Sequence, residues 1–400
     1  MGSTAPTTAH ATDPLVITPE SLLAALATVP DPRREASVRY PMAAMLGLAV
    51  AALLCAHTSV LAMAEWGARQ PADLLVTLGF VDGETPRQST LHRLFRKLDP
   101  HALSEALTAA FARTAVPPAS ERGSQGVAID GKAQRGRLQY EEHGSPIHAL
   151  VAFCHDYSVV LATEPVEQGA DKAEAELTVA PQLIERIDWR GRVLTGDALF
   201  CQRDLCEQVL DAGGDYLLTV KANQPKLFDA ISLLFDPGWE VPLVDRREAH
   251  TVDKGHGRSR EVRHLIASTD LEGYIDWPGM AQVFRVERTW RERGETKRQV
   301  RYGITSLPPS AGPPQRLLSL KRRHWLIENR GHRSKDVNLG EDASLVHTGY
   351  GPTIVVTLRD TAISVMRLAG WSTIASPLRY YGQYPDQAVA LITSPLPTRA

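Results

Sequence analysis

The chain has 400 residues, of which 43% are hydrophobic and 22% charged, and its formal net charge is −2. This length allows two or three domains that each bury a core, and the composition excludes a low-complexity or fibrous protein. A near-neutral charge does not by itself indicate a nucleic-acid binder, so such a function would depend on local clusters. The four cysteines form no CxxC pair and have no histidine partner at zinc-ligand spacing, which predicts reduced thiols in an intracellular protein.

The first 126 residues are predicted to contain helices between two irregular segments. Residues 1–14 read as a disordered leader, residues 15–115 as an all-helical domain, and residues 116–126 as a linker. Residues 43–64 carry no formal charge and are long enough to span a bilayer. Because alanine dominates this stretch and His57 interrupts it, we expect a buried helix, or a pair of helices broken near His57, and no membrane insertion.

A basic amphipathic helix is predicted near residues 89–99. Its apolar positions follow the i, i+3, i+4, i+7 pattern and are Leu91, Leu94, Phe95 and Leu98. Its other faces carry Arg93, Arg96 and Lys97. Solvated charge on a packed helix is the plainer interpretation, and the alternative is recognition of DNA, as in helix-turn-helix domains.

From residue 127 onwards the chain alternates strands and helices. The predicted strands are 127–130, 148–155, 158–166, 192–197 and 215–221, and the predicted helices are 174–187, 199–212 and 224–235. This order favours an α/β domain with a mixed sheet flanked by helices. Residues 240–306 contain only strand patterns, at 260–266, 281–293 and 297–306, and read as a β-rich insertion. Helices at 317–337 and 353–368 follow, and residues 371–400, rich in Pro, Tyr and Gly, are predicted to be an irregular tail.

Two of the predicted strands end in aspartate, at Asp130 and Asp197. If these strands are neighbours in the sheet, both carboxylates emerge at one edge, and Glu328 in the later helix could be the third. Such a cluster suits Mg²⁺ or Mn²⁺, because adjacent carboxylates otherwise repel one another. Two ions about 4 Å apart could activate a water or a 3′-hydroxyl for attack on a phosphodiester. The alternative is that both aspartates are ordinary turn residues.

Basic residues accompany the three carboxylates. Lys132, Arg135 and Arg137 follow Asp130, and residues 321–335 carry six Lys or Arg against one acid. A patch of this kind suits a bound polyanion. A second basic stretch, residues 285–301, has seven Lys or Arg and three Glu, and would present a basic face if it forms a hairpin. Solvated charge is the alternative for that hairpin.

The helix around Glu328 can be read at α-helical spacing. Its polar stripe consists of His324, Glu328, His332 and Asp336. Trp325 and Ile327 are predicted to anchor the helix to the sheet. Rival candidates for the third metal ligand are Asp336, Glu341 and Asp342.

Several motifs, in this order along residues 20–370, resemble the ISAs1 family of insertion-sequence transposases, which includes the H-repeat-associated proteins and is related to the IS4 group. The motifs are Asp31-Pro32-Arg33-Arg34 with Tyr40-Pro41, Ala128-Ile129-Asp130-Gly131-Lys132 with Arg135-Gly136, Gly196-Asp197-Ala198-Leu199 with Cys201-Gln202, Lys221-Ala222-Asn223-Gln224-Pro225, Lys254-Gly255-His256-Gly257-Arg258, and Arg323-His324-Trp325-Leu326-Ile327-Glu328-Asn329 with Gly340-Glu341-Asp342-Ala343. The resemblance implies an RNase H-like catalytic domain over 127–370, with Asp130, Asp197 and Glu328 as a DDE triad that binds two Mg²⁺ or Mn²⁺ ions.

The same resemblance implies strand cleavage and strand transfer at transposon ends, with double-stranded DNA as substrate and target, a homodimer in the synaptic complex, and a cytoplasmic, nucleoid-associated bacterial protein. The residues expected to contact DNA are Lys132, Arg135, Arg137, Lys221, Asn223, Gln224, His256, Arg258, Arg322, Arg323, His324, His332 and Lys335, with Arg93, Arg96 and Lys97 suggested for end recognition. The related group has a Tyr, Arg, Glu, Lys signature, and the matching positions here are Lys321, His324, Glu328 and Lys335. Lys321 and His324 stand where that signature has Tyr and Arg, so these two positions depart from it. Two other hypotheses remain: a domesticated or inactive protein that only binds DNA, and a nuclease with another host role.

Overall fold

Fourteen α-helices and nine β-strands occupy the described residues of the computed structural model, which are 20–112, 114, 123, 125–133, 148–166, 172–236, 238, 242–253, 261–292 and 295–397. The helices are α1 Leu22–Ala27, α2 Met42–Leu54, α3 Val60–Ala68, α4 Ala72–Thr77, α5 Gln88–Phe95, α6 Pro100–Ala112, α7 Lys172–Glu185, α8 Arg203–Asp211, α9 Pro225–Leu234, α10 Pro314–Arg323, α11 Arg333–Leu339, α12 Gly351–Leu368, α13 Ala375–Gln383 and α14 Pro385–Thr393. The strands are β1 Gln125–Ala133, β2 His148–Cys154, β3 Val159–Val166, β4 Arg192–Gly196, β5 Asp215–Val220, β6 Arg247–Asp253, β7 Glu261–Ser268, β8 Gln282–Glu292 and β9 Glu295–Thr305.

The chain divides into two compact units. Unit 1 comprises residues 1–116, 131–179 and 327–400, and unit 2 comprises residues 117–130 and 180–326. Four residues expected to contact DNA, Arg135, Arg137, His256 and Arg258, lie outside the described residues, as do the predicted leader and most of the predicted linker.

The N-terminal helices of unit 1 surround α2. This helix is apolar on all sides and buried over almost its whole length, and it packs against α1, α3 and α12. A left-handed Ala56 (φ 67°) ends the segment after α2, and the Ser59 hydroxyl caps α3 by accepting a hydrogen bond from the Ala62 amide. The predicted break near His57 is therefore confirmed. Among the described residues, no helix is both long enough and apolar enough to cross a bilayer.

The C-terminal part of unit 1 corrects the prediction of an irregular tail. Helices α13 and α14 pack on α2, and Trp371, Tyr380 and Tyr381 form an aromatic cluster beside them. Pro385 stands in the first turn of α14, where a missing amide hydrogen costs nothing. A proline of the tail that was predicted to be irregular thus begins a helix.

Unit 2 is built on a mixed sheet with strand order β1-β4-β5-β9-β8-β7-β6. Strands β1, β4 and β5 run parallel, and the remaining neighbours pair antiparallel. The region predicted as an insertion extends the sheet, because β9 pairs directly with β5, from Leu217 opposite Thr305 to Val220 opposite Tyr302. Strand β6 was not predicted, since Ala249 is its one buried residue and no apolar alternation marks it.

Helix α10 covers the sheet of unit 2. It packs against β5, β6 and β7 through three buried leucines, Leu317, Leu318 and Leu320. These belong to a core that includes Leu265 and Phe284, both at 0% exposure. Burying each leucine contributes about 1.5–3 kcal/mol, so this contact holds α10 on the sheet.

Candidate active site

The two aspartates predicted at strand ends lie on neighbouring strands of unit 2. Parallel pairing of β1 with β4 runs from Gln125 opposite Arg192 to Ala128 opposite Thr195. Asp130 lies on β1 and Asp197 directly follows β4, each two residues beyond the last paired residues, Ala128 and Thr195. Strand β1 was predicted to end at Asp130, but it continues to Ala133.

The turn after β4 holds Asp197 in place. One of its carboxylate oxygens accepts a hydrogen bond from the Leu199 amide at 2.8 Å, and the side chain is exposed. Glycine precedes it for a steric reason, since a Cβ on Gly196 would lie 3.0 Å from Leu218 and 3.1 Å from Phe200. The Gly-Asp pair is therefore required both by packing and by the turn.

Two side chains of unit 2 support the loop that follows Asp197. The Asn223 amide donates to the Ala198 carbonyl at 2.7 Å, and the Gln224 amide donates to the Cys201 carbonyl at 2.9 Å. Both were expected to contact DNA, but in the structure their side-chain amides donate hydrogen bonds within the protein. These hydrogen bonds indicate a role in positioning the loop.

We expect Asn223→Ala to reduce DNA cleavage by about tenfold while lowering stability by only about 1 kcal/mol, because one hydrogen bond to a loop carbonyl is lost. Cleavage rates and thermal unfolding of the full chain measure the two effects. Gln387→Ala, on α14 in unit 1, is the matched control and should leave cleavage unchanged. An Asn223→Ala protein with wild-type cleavage would exclude the positioning role.

Lys321 is a residue of this region that the predicted site omitted. Its ammonium donates to the Thr219 hydroxyl on β5. Burial lowers the Lys321 pKa to about 8, Arg301 and Lys221 act in the same direction, and the Asp197 carboxylate opposes them. The Asp197 carboxylate therefore favours the charged form of Lys321.

Glu328 lies in a helical segment that differs from the predicted regular α-helix. Helix α10 ends at Arg323, residues Ile327–His332 form a π-helical turn, and α11 follows directly. Such turns are rare and are frequently found at functional sites. Ile327 is buried, as predicted, whereas Trp325 is 56% exposed, so its predicted anchoring role is wrong.

The predicted polar stripe is divided by this change of helix type. Glu328 is exposed and His332 is buried, and their ligand atoms lie within 4.8 Å of each other. His324 does not join them, since its Nδ1 lies 3.2 Å from the Thr195 hydroxyl of β4 in unit 2. Burial and the charge of Lys335 lower the pKa of His332, which favours its neutral form.

Lys132 links the end of β1 to the π turn within unit 1. Its ammonium donates to the His332 carbonyl at 3.1 Å and forms ion pairs with Asp336 at 2.5 Å and Glu341 at 3.0 Å. Asp336 and Glu341 were rivals of Glu328 for the third metal ligand, and both are engaged by this lysine.

A buried charge cluster continues from there. Its members are Lys132, Lys335, Arg359, Asp336, Glu341 and Asp360. Lys335 pairs with Asp360 at 3.0 Å and with Glu341 at 3.6 Å, and its side chain is 1% exposed. Burial would lower the pKa of Lys335, but Asp360 and Glu341 raise it above its usual value. Burial raises the pKa of Asp360, against the effect of Lys335.

This burial revises the expectation that Lys335 contacts DNA. An ammonium enclosed by two carboxylates cannot reach a phosphate in this conformation. His332, at 4% exposure, is enclosed as well. Asp360, the partner that makes the cluster possible, was not singled out from the sequence, because no local pattern joins residues 25 positions apart on two helices.

Other residues of the predicted basic surface are partly neutralised. Arg322 pairs with Asp253 at 2.7 Å. On the β8–β9 hairpin, Glu287 pairs with Arg285 and Arg298, and the Arg298 bond is the main reason that the pKa of Glu287 falls to about 2. Exposed cations that remain at the surface include Lys221, Arg93, Arg96 and Lys97. Arg323 is half-buried.

Comparison with known families defines the class of protein. A family described as "Transposase DDE domain" matches residues 121–351, which is more than half of the chain and contains Asp130, Asp197 and Glu328. A second family, "DDE_Tnp_1-associated", matches residues 23–110. The chain belongs to the Transposase DDE domain family. It is a transposase, a metal-dependent enzyme that cleaves and transfers DNA.

Similar proteins include "Putative transposase YncI" of Escherichia coli O157:H7, which is 27% identical over 360 residues, or 87% of each chain. "H repeat-associated putative transposase YhhI" of Escherichia coli (strain K12) is 25% identical over 355 residues, covering 87% of this chain and 90% of the relative. Among solved structures, a piggyBac transposase synaptic complex with hairpin DNA matches at a TM-score of 0.41 and 12% identity, over 95% of this chain and 79% of that one.

Proposed function

We propose that Asp130, Asp197 and Glu328 are the catalytic triad of this transposase, that they hold two divalent ions, and that the enzyme cuts and joins DNA at the ends of an ISAs1-type insertion sequence. The observation that carries the proposal is the parallel pairing of β1 and β4 up to Ala128 opposite Thr195, because Asp130 and Asp197 each follow two residues later. Two carboxylates brought close together repel each other unless a cation lies between them.

The donor set fits a hard divalent cation. Carboxylate oxygens are the ligands that Mg²⁺ and Mn²⁺ prefer, and Asp197 and Glu328 are both exposed and can take up a metal ion. When bound, such ions polarise the phosphodiester and lower the pKa of the attacking water or 3′-hydroxyl. Glu328 is supported as the third ligand because it is exposed and one of its carboxylate oxygens lies within 4.8 Å of a His332 ring nitrogen.

The protein's own groups position the DNA and the carboxylates. The Asn223 and Gln224 amides hold the loop after Asp197, and Lys132 holds the carbonyl end of the π turn that carries Glu328. Lys321 provides a positive charge beside Asp197, suited to a scissile phosphate. The exposed Lys221, with Arg93, Arg96 and Lys97 of the N-terminal helices, would contact the DNA backbone.

Three finer features complete the proposal. The catalytic domain is RNase H-like, which is supported by a sheet in which β1, β4 and β5 run parallel. The enzyme acts as a homodimer, because joining two element ends in one complex requires two active sites. It acts on double-stranded DNA in the bacterial cytoplasm.

The test is a strand-transfer assay with the full chain and duplexes made from the DNA that flanks its gene. We expect 3′-hydroxyl ends to be released and joined to a target plasmid in Mg²⁺ or Mn²⁺, and neither product to form in EDTA. A duplex of the same composition with shuffled terminal sequence is the matched control.

The result also separates the remaining hypotheses. Binding that persists in EDTA, with no cleavage in either metal, would identify a domesticated or inactive DNA-binding protein. Equal cleavage of terminal and shuffled duplexes without joining would identify a nuclease with another host role.

A further inference from the structure

The residue beside Glu328 that the proposed triad leaves unexplained is His332. It closes the π-helical turn, is 4% exposed, and offers a ring nitrogen within 4.8 Å of a Glu328 carboxylate oxygen. Ligand atoms on opposite sides of one ion at about 2.1 Å are roughly 4.2 Å apart. A small rotation of the exposed Glu328 side chain therefore brings both groups to one cation.

We infer that the His332 imidazole is a ligand of the divalent ion held by Glu328, so that this site contains a nitrogen donor and takes Mn²⁺ in preference to Mg²⁺. The inference rests on the proposed function, because it assumes that Glu328 binds metal. It adds His332 as a fourth protein ligand and a preference of the site for Mn²⁺ over Mg²⁺.

The surroundings hold His332 as a preformed ligand. Its carbonyl accepts a hydrogen bond from Lys132, which is itself fixed by Asp336 and Glu341. A backbone held in this way limits the orientations of the ring, and such support from neighbouring groups raises the affinity of a metal ligand. Glu328 and His332 both lie within the π turn.

Two nearby ammonium groups would at first sight oppose a cation. Lys132 is paired with Asp336 and Glu341, and Lys335 is paired with Asp360. With Arg359 included, the cluster contains three cationic and three anionic side chains. Its charges therefore balance, and the field at His332 is smaller than two isolated lysines would produce.

The choice of metal follows from ligand chemistry. Mg²⁺ strongly prefers oxygen donors and gives up its waters reluctantly, whereas imidazole nitrogen suits transition metals. A site of carboxylates alone would serve both ions. One histidine in the set shifts the preference to Mn²⁺.

Pulsed electron paramagnetic resonance on the full chain loaded with Mn²⁺ alone tests the inference. We expect a nitrogen coupling in the wild-type protein that changes to the ¹⁵N pattern when the histidines are ¹⁵N-labelled. His332→Gln should remove this coupling and raise the Kd for Mn²⁺ by at least about tenfold, while the Kd for Mg²⁺ changes little. His347→Gln, at an exposed loop position, and His324→Gln are matched controls that should retain the coupling.

Each outcome bears on one proposal. The inference is overturned if the labelled wild-type protein shows no histidine coupling, whether or not His332→Gln folds. It is also overturned if the coupling is lost in His324→Gln and retained in His332→Gln. Wild-type Mn²⁺ binding by a folded His332→Gln protein, together with loss of binding in Glu328→Gln, overturns it and leaves the triad intact. Undiminished binding of both metals by Glu328→Gln contradicts the triad itself.

Discussion

Asp197→Asn should reduce metal-dependent DNA cleavage by at least about 10³-fold while leaving the fold intact. Asparagine keeps the side-chain oxygen that accepts from the Leu199 amide, so the turn survives, and the residue is exposed. What is lost is the second carboxylate beside Asp130. We also expect the thermal midpoint of the wild-type protein to rise on addition of Mn²⁺, and this rise to be much smaller in the variant.

Asp204→Asn is the control for this experiment. It makes the same chemical change at an exposed position in the first turn of α8, in the same unit. It should cleave DNA at the wild-type rate and keep the metal-dependent rise in midpoint. If the Asp197 variant cleaved DNA at a rate within tenfold of wild type, Asp197 would not be a member of the catalytic triad.

Lys335→Met should destabilise the protein by about 3–5 kcal/mol, because it leaves two buried carboxylates, Glu341 and Asp360, without the ammonium between them. For unit 1 this corresponds to a fall of roughly 10 °C in the thermal midpoint. A lysine that served only to bind DNA would give a different result, namely weaker DNA binding at unchanged stability. Thermal unfolding and DNA-binding titrations of the same sample distinguish the two.

A second substitution sharpens that experiment. Lys335→Met combined with Asp360→Leu should recover part of the lost stability, because apolar side chains then replace both members of the pair while Lys132 still neutralises Glu341 at 3.0 Å. Glu65→Ala breaks an exposed pair with Arg69 and should cost less than about 1 kcal/mol. A cost for Lys335→Met no larger than this would mean that the buried cluster contributes nothing to the fold.

Local patterns in the sequence were sufficient for several elements of the fold. The strand patterns ending near Asp130 and Asp197, the β2–β3 hairpin, the N-terminal helices and the break near His57 all appear in the structure close to where they were predicted. Each is determined by neighbours along the chain: apolar runs bounded by turn residues, or the 3.6-residue period of a helix face.

Elements without such a local pattern were missed. Strand β6 has one buried residue and acquires its conformation by pairing with β7. Helices α13 and α14 contain prolines and glycines that suggest irregular chain, and their contacts with α2 stabilise them. In both cases the contacts of the element with its partner, rather than a pattern of its own, determine its conformation.

The candidate site shows the same division. Residue type and spacing alone selected Asp130, Asp197 and Glu328, because a carboxylate at the end of a buried strand or within a basic helix stands out locally. Which side chains accompany them was decided by the tertiary structure: the pairing of β1 with β4, the ion pairs of Lys132 with Asp336 and Glu341, and the burial of Lys335 against Asp360. The physical reason is that a basic residue reads the same in sequence whether it faces solvent or a buried carboxylate, and only long-range packing determines which.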